Sequence, residues 1–185
     1  IMLAGTIAAG GRGLGTINAY VPAYLRSGLL LPQVTVGAVY TVVLIGSVVG
    51  PVAAGYLADR YGRRRIALFS YLCGAVVVAL FGMVHALAGL VVVGALMGIL
   101  AFAESPLLQA LFSDAVQGAP QQAAFGWYFA VSYGAGSVWI AVLGATIDHW
   151  GFAPTFWLMG ASFLAAAGML LLGGRGGGGT VGRAR

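Results

Sequence analysis

The sequence predicts an all-α membrane protein, and three observations carry that prediction: few charges, long apolar runs, and arginines gathered where those runs end. Hydrophobic residues make up 61% of the chain and charged residues 7%, with a mean hydropathy of +0.98. Soluble domains carry about 25% charged residues. A water-soluble fold of 185 residues cannot cover its surface with so few, so the bilayer is the solvent that suits this chain.

A helix needs about 20 apolar residues to cross the hydrocarbon core. The chain offers six such stretches, at 1–25, 35–58, 66–84, 89–112, 123–147 and 154–173. Together, residues 1–173 are expected to form a six-helix transmembrane bundle. Residues 174–185 are rich in glycine and arginine and are expected to form a disordered tail. Most of the 31 glycines fall inside the apolar runs, where lipid leaves the backbone no alternative to its own hydrogen bonds. Small residues also let neighbouring helices approach closely.

The arginines set the orientation. Arg60, Arg63, Arg64 and Arg65 follow the second span, and Arg175, Arg183 and Arg185 sit in the tail. With six spans these seven lie on one side, against Arg26 alone on the other. The arginine-rich side, and with it the C-terminus, is therefore expected in the cytoplasm.

Composition also excludes functions. All nine basic residues are arginines, and they are not interleaved with exposed polar and aromatic residues, which argues against a nucleic-acid partner. The single cysteine, Cys73, lies in an apolar run, where it reads as a small buried filler. His85 and His149 fall in separate connections without carboxylate partners, so no metal site or cofactor is expected. No nucleophile with its base and no phosphate loop is found, which speaks against a membrane-embedded enzyme.

Two segments repeat. Gly55-x-x-x-Asp59-x-x-Gly62 ends the second span, and Gly144-x-x-x-Asp148-x-x-Gly151 ends the fifth, at an offset of 148 − 59 = 89. Three helices per copy force the second copy upside down. The charges agree, because arginines crowd the first loop and are absent from the second. The expected architecture is two inverted three-helix repeats, as in secondary transporters.

The stretch Gly55-Tyr-Leu-Ala-Asp59-Arg60-Tyr-Gly62-Arg63-Arg64-Arg65 closely resembles the signature loop of the major facilitator superfamily, which joins the second and third helices of each half. The physics suits the place: Gly62 permits a turn that side chains resist, and the arginines face anionic headgroups. The resemblance implies half of a twelve-helix fold, with Asp59 helping to latch the halves together in one transport state. Gly37, Gly46, Gly50, Pro51 and Gly55 look like the family's antiporter pattern, but Ala54 breaks it; they read better as close packing plus a kink. The chain opens at Ile1 inside an apolar run, without an initiator Met, as a fragment does. Phe125–Phe129 through Gly134, Gly136 and Asp148 resembles the family's eleventh helix. The chain is therefore expected to be the C-terminal half and to need the missing N-terminal six-helix half as partner.

Charges inside a span cost about 2.5–3.5 kcal/mol each on insertion scales. Arg12 in the first span and Glu104 in the fourth are such charges. By resemblance, these helices line the transport cavity. An Arg12–Glu104 pair, or two charges on one water-filled cavity, is expected. Arg12 would attract an anionic group of a small-molecule substrate, and Glu104 would carry a proton, alternating between paired and unpaired states. The alternatives are an Arg12 that snorkels to the interface and a Glu104 that binds backbone freed by Pro106.

Asn18, Tyr20, Tyr24, Ser105 and Gln109 share these helices, and Pro22 and Pro106 are expected to kink them. On the fifth span, Trp127, Tyr128, Tyr133 and Trp139 are able to stack on a solute; for Trp127 and Tyr128, near the helix end, an aromatic-belt role is favoured. The function implied is alternating-access transport of a small organic solute, proton-coupled, in a prokaryotic plasma membrane. The alternative is a six-helix structural or channel-forming protein.

Overall fold

The structure, a computed structural model, describes residues 13–116 and 120–173. Every regular element in it is helical. Helix α1 (Gly13–Ala23) passes at Pro22 into a π-helical turn over Tyr24–Gly28. Proline has no N–H to donate and its ring crowds the carbonyl four residues back, so the α-helix loosens there. The amide of Leu29 then reaches Tyr24 O at 2.9 Å.

Helix α2 (Gln33–Tyr61) follows Pro32, and α3 (Arg63–Phe81) starts directly after Gly62. The fourth span is two helices, α4 (Leu87–Phe102) and α5 (Glu104–Ala115), broken at Ala103. Pro106 explains the break, because its ring meets the carbonyl of Phe102. Helices α6 (Gln121–Trp150) and α7 (Phe152–Gly173) complete the order.

Among the described residues, five helical stretches are long and apolar enough to cross a membrane: α2, α3, the α4–α5 pair, α6 and α7. Of the expected first span, residues 13–25 are described. The tail at 174–185 also lies outside the described residues. Helices α2 and α6 overrun the expected spans by two or three residues at each end, because polar residues at the interface continue the helical hydrogen-bond ladder. Helix α3 starts three residues early, so Arg63, Arg64 and Arg65 stand in its first turn rather than in a loop.

The helices meet through small residues. Gly46, Gly50 and Gly98 bring α2 and α4 together so closely that a Cβ on Gly50 would lie 2.1 Å from Ile99 O. This bears out close packing as the reading of Gly46 and Gly50 but not of Gly37 and Gly55, where an added Cβ would meet nothing within 4 Å. Helix α3 packs on α7 in the same way, where a Cβ on Gly160 would lie 2.7 Å from Ala75 O. Away from the arginine-bearing end, Tyr24, Phe81, Phe152 and Phe156 form an aromatic cluster with centroids 5.1–5.9 Å apart.

The ends of α2 and α6 are alike. Gly62 and Gly151 have φ of +95° and +83°, and they are the positive-φ glycines among the described residues. Each closes its helix with an amide bonded at 2.9 Å to the carbonyl four residues back, Ala58 or Ile147. Each helix also begins after a proline, Pro32 or Pro120.

Candidate functional site

A cavity of about 220 Å³ opens between α1, α5 and α6. Helical periodicity builds its wall. On α5, Ser105 and Gln109 are one turn apart on the same face, and Gln109 Nε2 donates to Ser105 Oγ at 3.2 Å. On α6, Tyr128, Ser132 and Gly136 form one stripe, with Phe129, Tyr133, Ser137 and Ile140 beside it. Gly15 contributes bare backbone from α1. The lining thus gathers Ser105, Gln109, Tyr128 and Tyr133 from the residues singled out in the sequence.

Glu104 opens α5 and is 2% exposed. It is buried beside the cavity rather than on its wall, within electrostatic reach of Tyr128. Arg12 lies outside the described residues, and so does any contact between the two. Asn18 is exposed on α1 and its Oδ1 accepts from the Tyr40 hydroxyl at 2.9 Å. The Tyr20 hydroxyl donates to Ile140 O and touches α6 at Gly144, pinning α1 to α6 at the cavity's edge. Tyr24 is buried in the aromatic cluster, with its hydroxyl directed at the carbonyls of Gly82 and Val84, 3.3 and 3.2 Å away. It belongs to the packing of α1 on α3, not to the cavity lining.

Tyr128 differs from a belt residue. It is 4% exposed and packs on Phe112 and Phe129 at 5.1 and 5.3 Å. Trp127, its neighbour, is 74% exposed, as a belt residue on the outer face is. Trp139 is half-buried.

The arginine loop braces three helix ends. Arg63 bonds both carboxylate oxygens of Asp114, joining α3 to α5. Arg64 donates to the carbonyls of Leu170 and Leu171 at 2.9 and 3.0 Å, which the last turn of α7 leaves free. Arg60 lies 5.6 Å over the Tyr61 ring. Asp59 and Arg65 are exposed, and Gly55 faces open space.

The profile of the Major Facilitator Superfamily matches residues 1–180. The chain belongs to that superfamily. Membership bears out the family read from the Gly55–Arg65 loop. The POT family transporter PepTSo, known from an in meso crystal structure, is similar in fold at a TM-score of 0.79 and 20% identity. The match covers 94% of this chain, which spans 37% of the PepTSo chain. No curated protein matches.

Within this superfamily chain, sequence reasoning missed Asp114, Ser132 and Ser137, and named Gly136 only within the stretch that resembles the eleventh helix. Asp114 had one signal: it is an acid at the end of the fourth span, on the side where the arginines gather. The others carried none, because small residues recur all along α6.

Proposed function

We propose that the chain forms one wall of a solute carrier working by alternating access, moving a small organic molecule across the membrane. The cavity between α1, α5 and α6 carries this reading, because it gathers polar side chains and aromatic rings on one open wall of the bundle. The broken fourth span supports it, since interrupted helices at membrane depth are tolerated where they line a cavity.

The full architecture in this reading is six spans in two inverted three-helix repeats. The matching ends of α2 and α6, at Gly62 and Gly151, support the repeat. The arginine-bearing end is cytoplasmic, and so is the tail at 174–185. The all-arginine, glycine-rich composition suits a prokaryotic plasma membrane. A second six-helix bundle completes the cavity; the 37% span relative to PepTSo favours it, and exposed Asp59 is available to latch it. The stretch from Phe125 to Asp148 favours this chain as the C-terminal bundle.

Glu104 is the candidate proton carrier and Arg12 its candidate partner or anion contact. The experiment is solute flux in liposomes holding the intact carrier, with and without an imposed proton gradient. Accumulation that follows the gradient supports coupled transport. Flux indifferent to every ion gradient points to the channel-like alternative.

A further inference from the structure

On the transport reading above, the solute path continues from the cavity toward the end of the bundle away from the arginines. On the α6 side, α1 is pinned there, because the Tyr20 hydroxyl donates to Ile140 O and touches Gly144. The α2 side is open and polar. Gly15 lines the cavity, and Asn18 follows it one turn on, on the same exposed face of α1. Thr16, Ile17 and Val21 turn inward, at 1%, 0% and 0% exposure.

Across from Asn18 stands α2. The Tyr40 hydroxyl donates to Asn18 Oδ1 at 2.9 Å. Thr41, the next residue, is exposed, and its Oγ1 donates to Gly37 O at 2.8 Å. Gly37 itself borders open space, where an added Cβ would meet nothing within 4 Å. Thr41 lies 41 − 33 = 8 residues inside α2, about 12 Å along the helix axis. An exposed amide at such depth is costly against lipid, so this face does not look onto lipid. The Tyr40 bond also sets the chemistry. It holds Oδ1 and leaves the two amide N–H donors of an exposed side chain for a partner in the groove.

We infer that the α1–α2 groove at Asn18 is a subsite of the solute path that takes a hydrogen-bond acceptor. Asn18 donates to that acceptor, and Tyr40 is the positioning residue that turns the amide toward it.

The test reads thiol labelling of the intact carrier in vesicles, on a Cys73→Ser background. The reagent is a water-soluble trimethylammonium methanethiosulfonate that does not cross lipid, added on each side in turn. Thr41→Cys reports from beside the pair, and Gly37→Cys is a second reporter one turn away. Val76→Cys, 57% exposed on the apolar face of α3, is the lipid control. Only a thiolate reacts, and apolar surroundings keep a thiol protonated, so both reporters are expected to label about tenfold faster than Val76→Cys. Trimethylamine N-oxide has an acceptor oxygen and no donor. At twice its Kd it is expected to slow that labelling about threefold by filling the groove. Tetramethylammonium, alike in shape but without an acceptor, is expected to leave the rate unchanged. Asn18→Ala is expected to erase the protection at an unchanged labelling rate, and Tyr40→Phe, which keeps the ring, to weaken it.

Reporters labelled no faster than Val76→Cys overturn the inference and give the groove to the second bundle. Equal protection by the two probes, none by either, or protection that survives Asn18→Ala overturns it too. Full protection in Tyr40→Phe overturns the positioning role. The flux experiment keeps the two readings apart. Protected labelling in a carrier that moves no solute sinks the transport reading alone. Solute carried past unlabelled reporters sinks the groove subsite alone.

Discussion

Arg63 holds Asp114 through both carboxylate oxygens, at 2.9 and 2.8 Å, and so ties the first turn of α3 to the last turn of α5. The next residue, Arg64, reaches the other way, to the carbonyls that end α7. Consecutive side chains on a helix diverge by about 100°, so two adjacent arginines serve two neighbours at once. The signature loop is thus a structural brace within this bundle as well as a charged face toward the headgroups.

The brace is expected to be modest in energy. Arg63 and Asp114 are 43% and 49% exposed, and ion pairs of that kind contribute about 0.2–1 kcal/mol. A double-mutant cycle on thermal stability, with Arg63→Ala and Asp114→Ala, should return a coupling in that range that shrinks as salt is raised. A coupling several times larger would show that headgroups or neighbouring helices desolvate the pair.

The α2–α4 contact should be far less forgiving. A Cβ at Gly50 would sit 2.1 Å from Ile99 O, and that atom is backbone, which cannot rotate away. Gly50→Ala is therefore expected to cost about 1–3 kcal/mol or more by overpacking. Gly37, on the same helix, has nothing within 4 Å, and Gly37→Ala should be neutral or slightly stabilising through helix propensity. Unfolding midpoints of the two variants settle it, and equal effects would mean that α2 and α4 lie further apart than described.

Gly62 is constrained by conformation rather than by space. Its φ is +95°, yet an added Cβ would meet nothing within 4 Å. Holding an L-residue in such a region costs about 1–3 kcal/mol. Gly62→Ala should lower stability by that amount, and so should Gly151→Ala, at φ +83°. Gly55→Ala, with open space and an ordinary helical backbone, should leave the melting temperature unchanged or raise it slightly, as at Gly37.

How much was legible divides along physical lines. Long apolar runs and arginine placement decide which segments cross a membrane, so the second to sixth spans were readable, as were close packing at Gly46 and Gly50 and the breaking power of Pro22 and Pro106. The rotation of each helix was not readable, because lipid, a cavity and a neighbouring helix all accept apolar residues. Tyr128 looked like a belt residue beside Trp127, yet a 100° turn places it in the interior. Gln109 could be named because an amide is costly against lipid, and Ser105 because it shares the span with Glu104. Ser132 and Ser137 could not be, because α6 carries small residues on every face. Tyr24 shares its span with the cavity residues but is drawn into packing by its position after Pro22, where the helix widens.

Glu104 supplies the sharpest functional prediction. A carboxyl group at the break between α4 and α5, 2% exposed, is costly to keep in a membrane, and such residues are functional by default. Gln keeps the shape and hydrogen-bonding size of Glu but cannot gain or lose a proton. If Glu104 carries the coupling proton, Glu104→Gln should abolish gradient-driven accumulation while leaving solute exchange across the membrane intact, since exchange does not need the proton to be released. Paired flux and counterflow measurements in the same liposomes read both. Should the variant lose exchange and folding together, Glu104 is instead holding the broken span closed, as the alternative of bonding to freed backbone requires. Accumulation at the wild-type level would remove Glu104 from the coupling mechanism altogether.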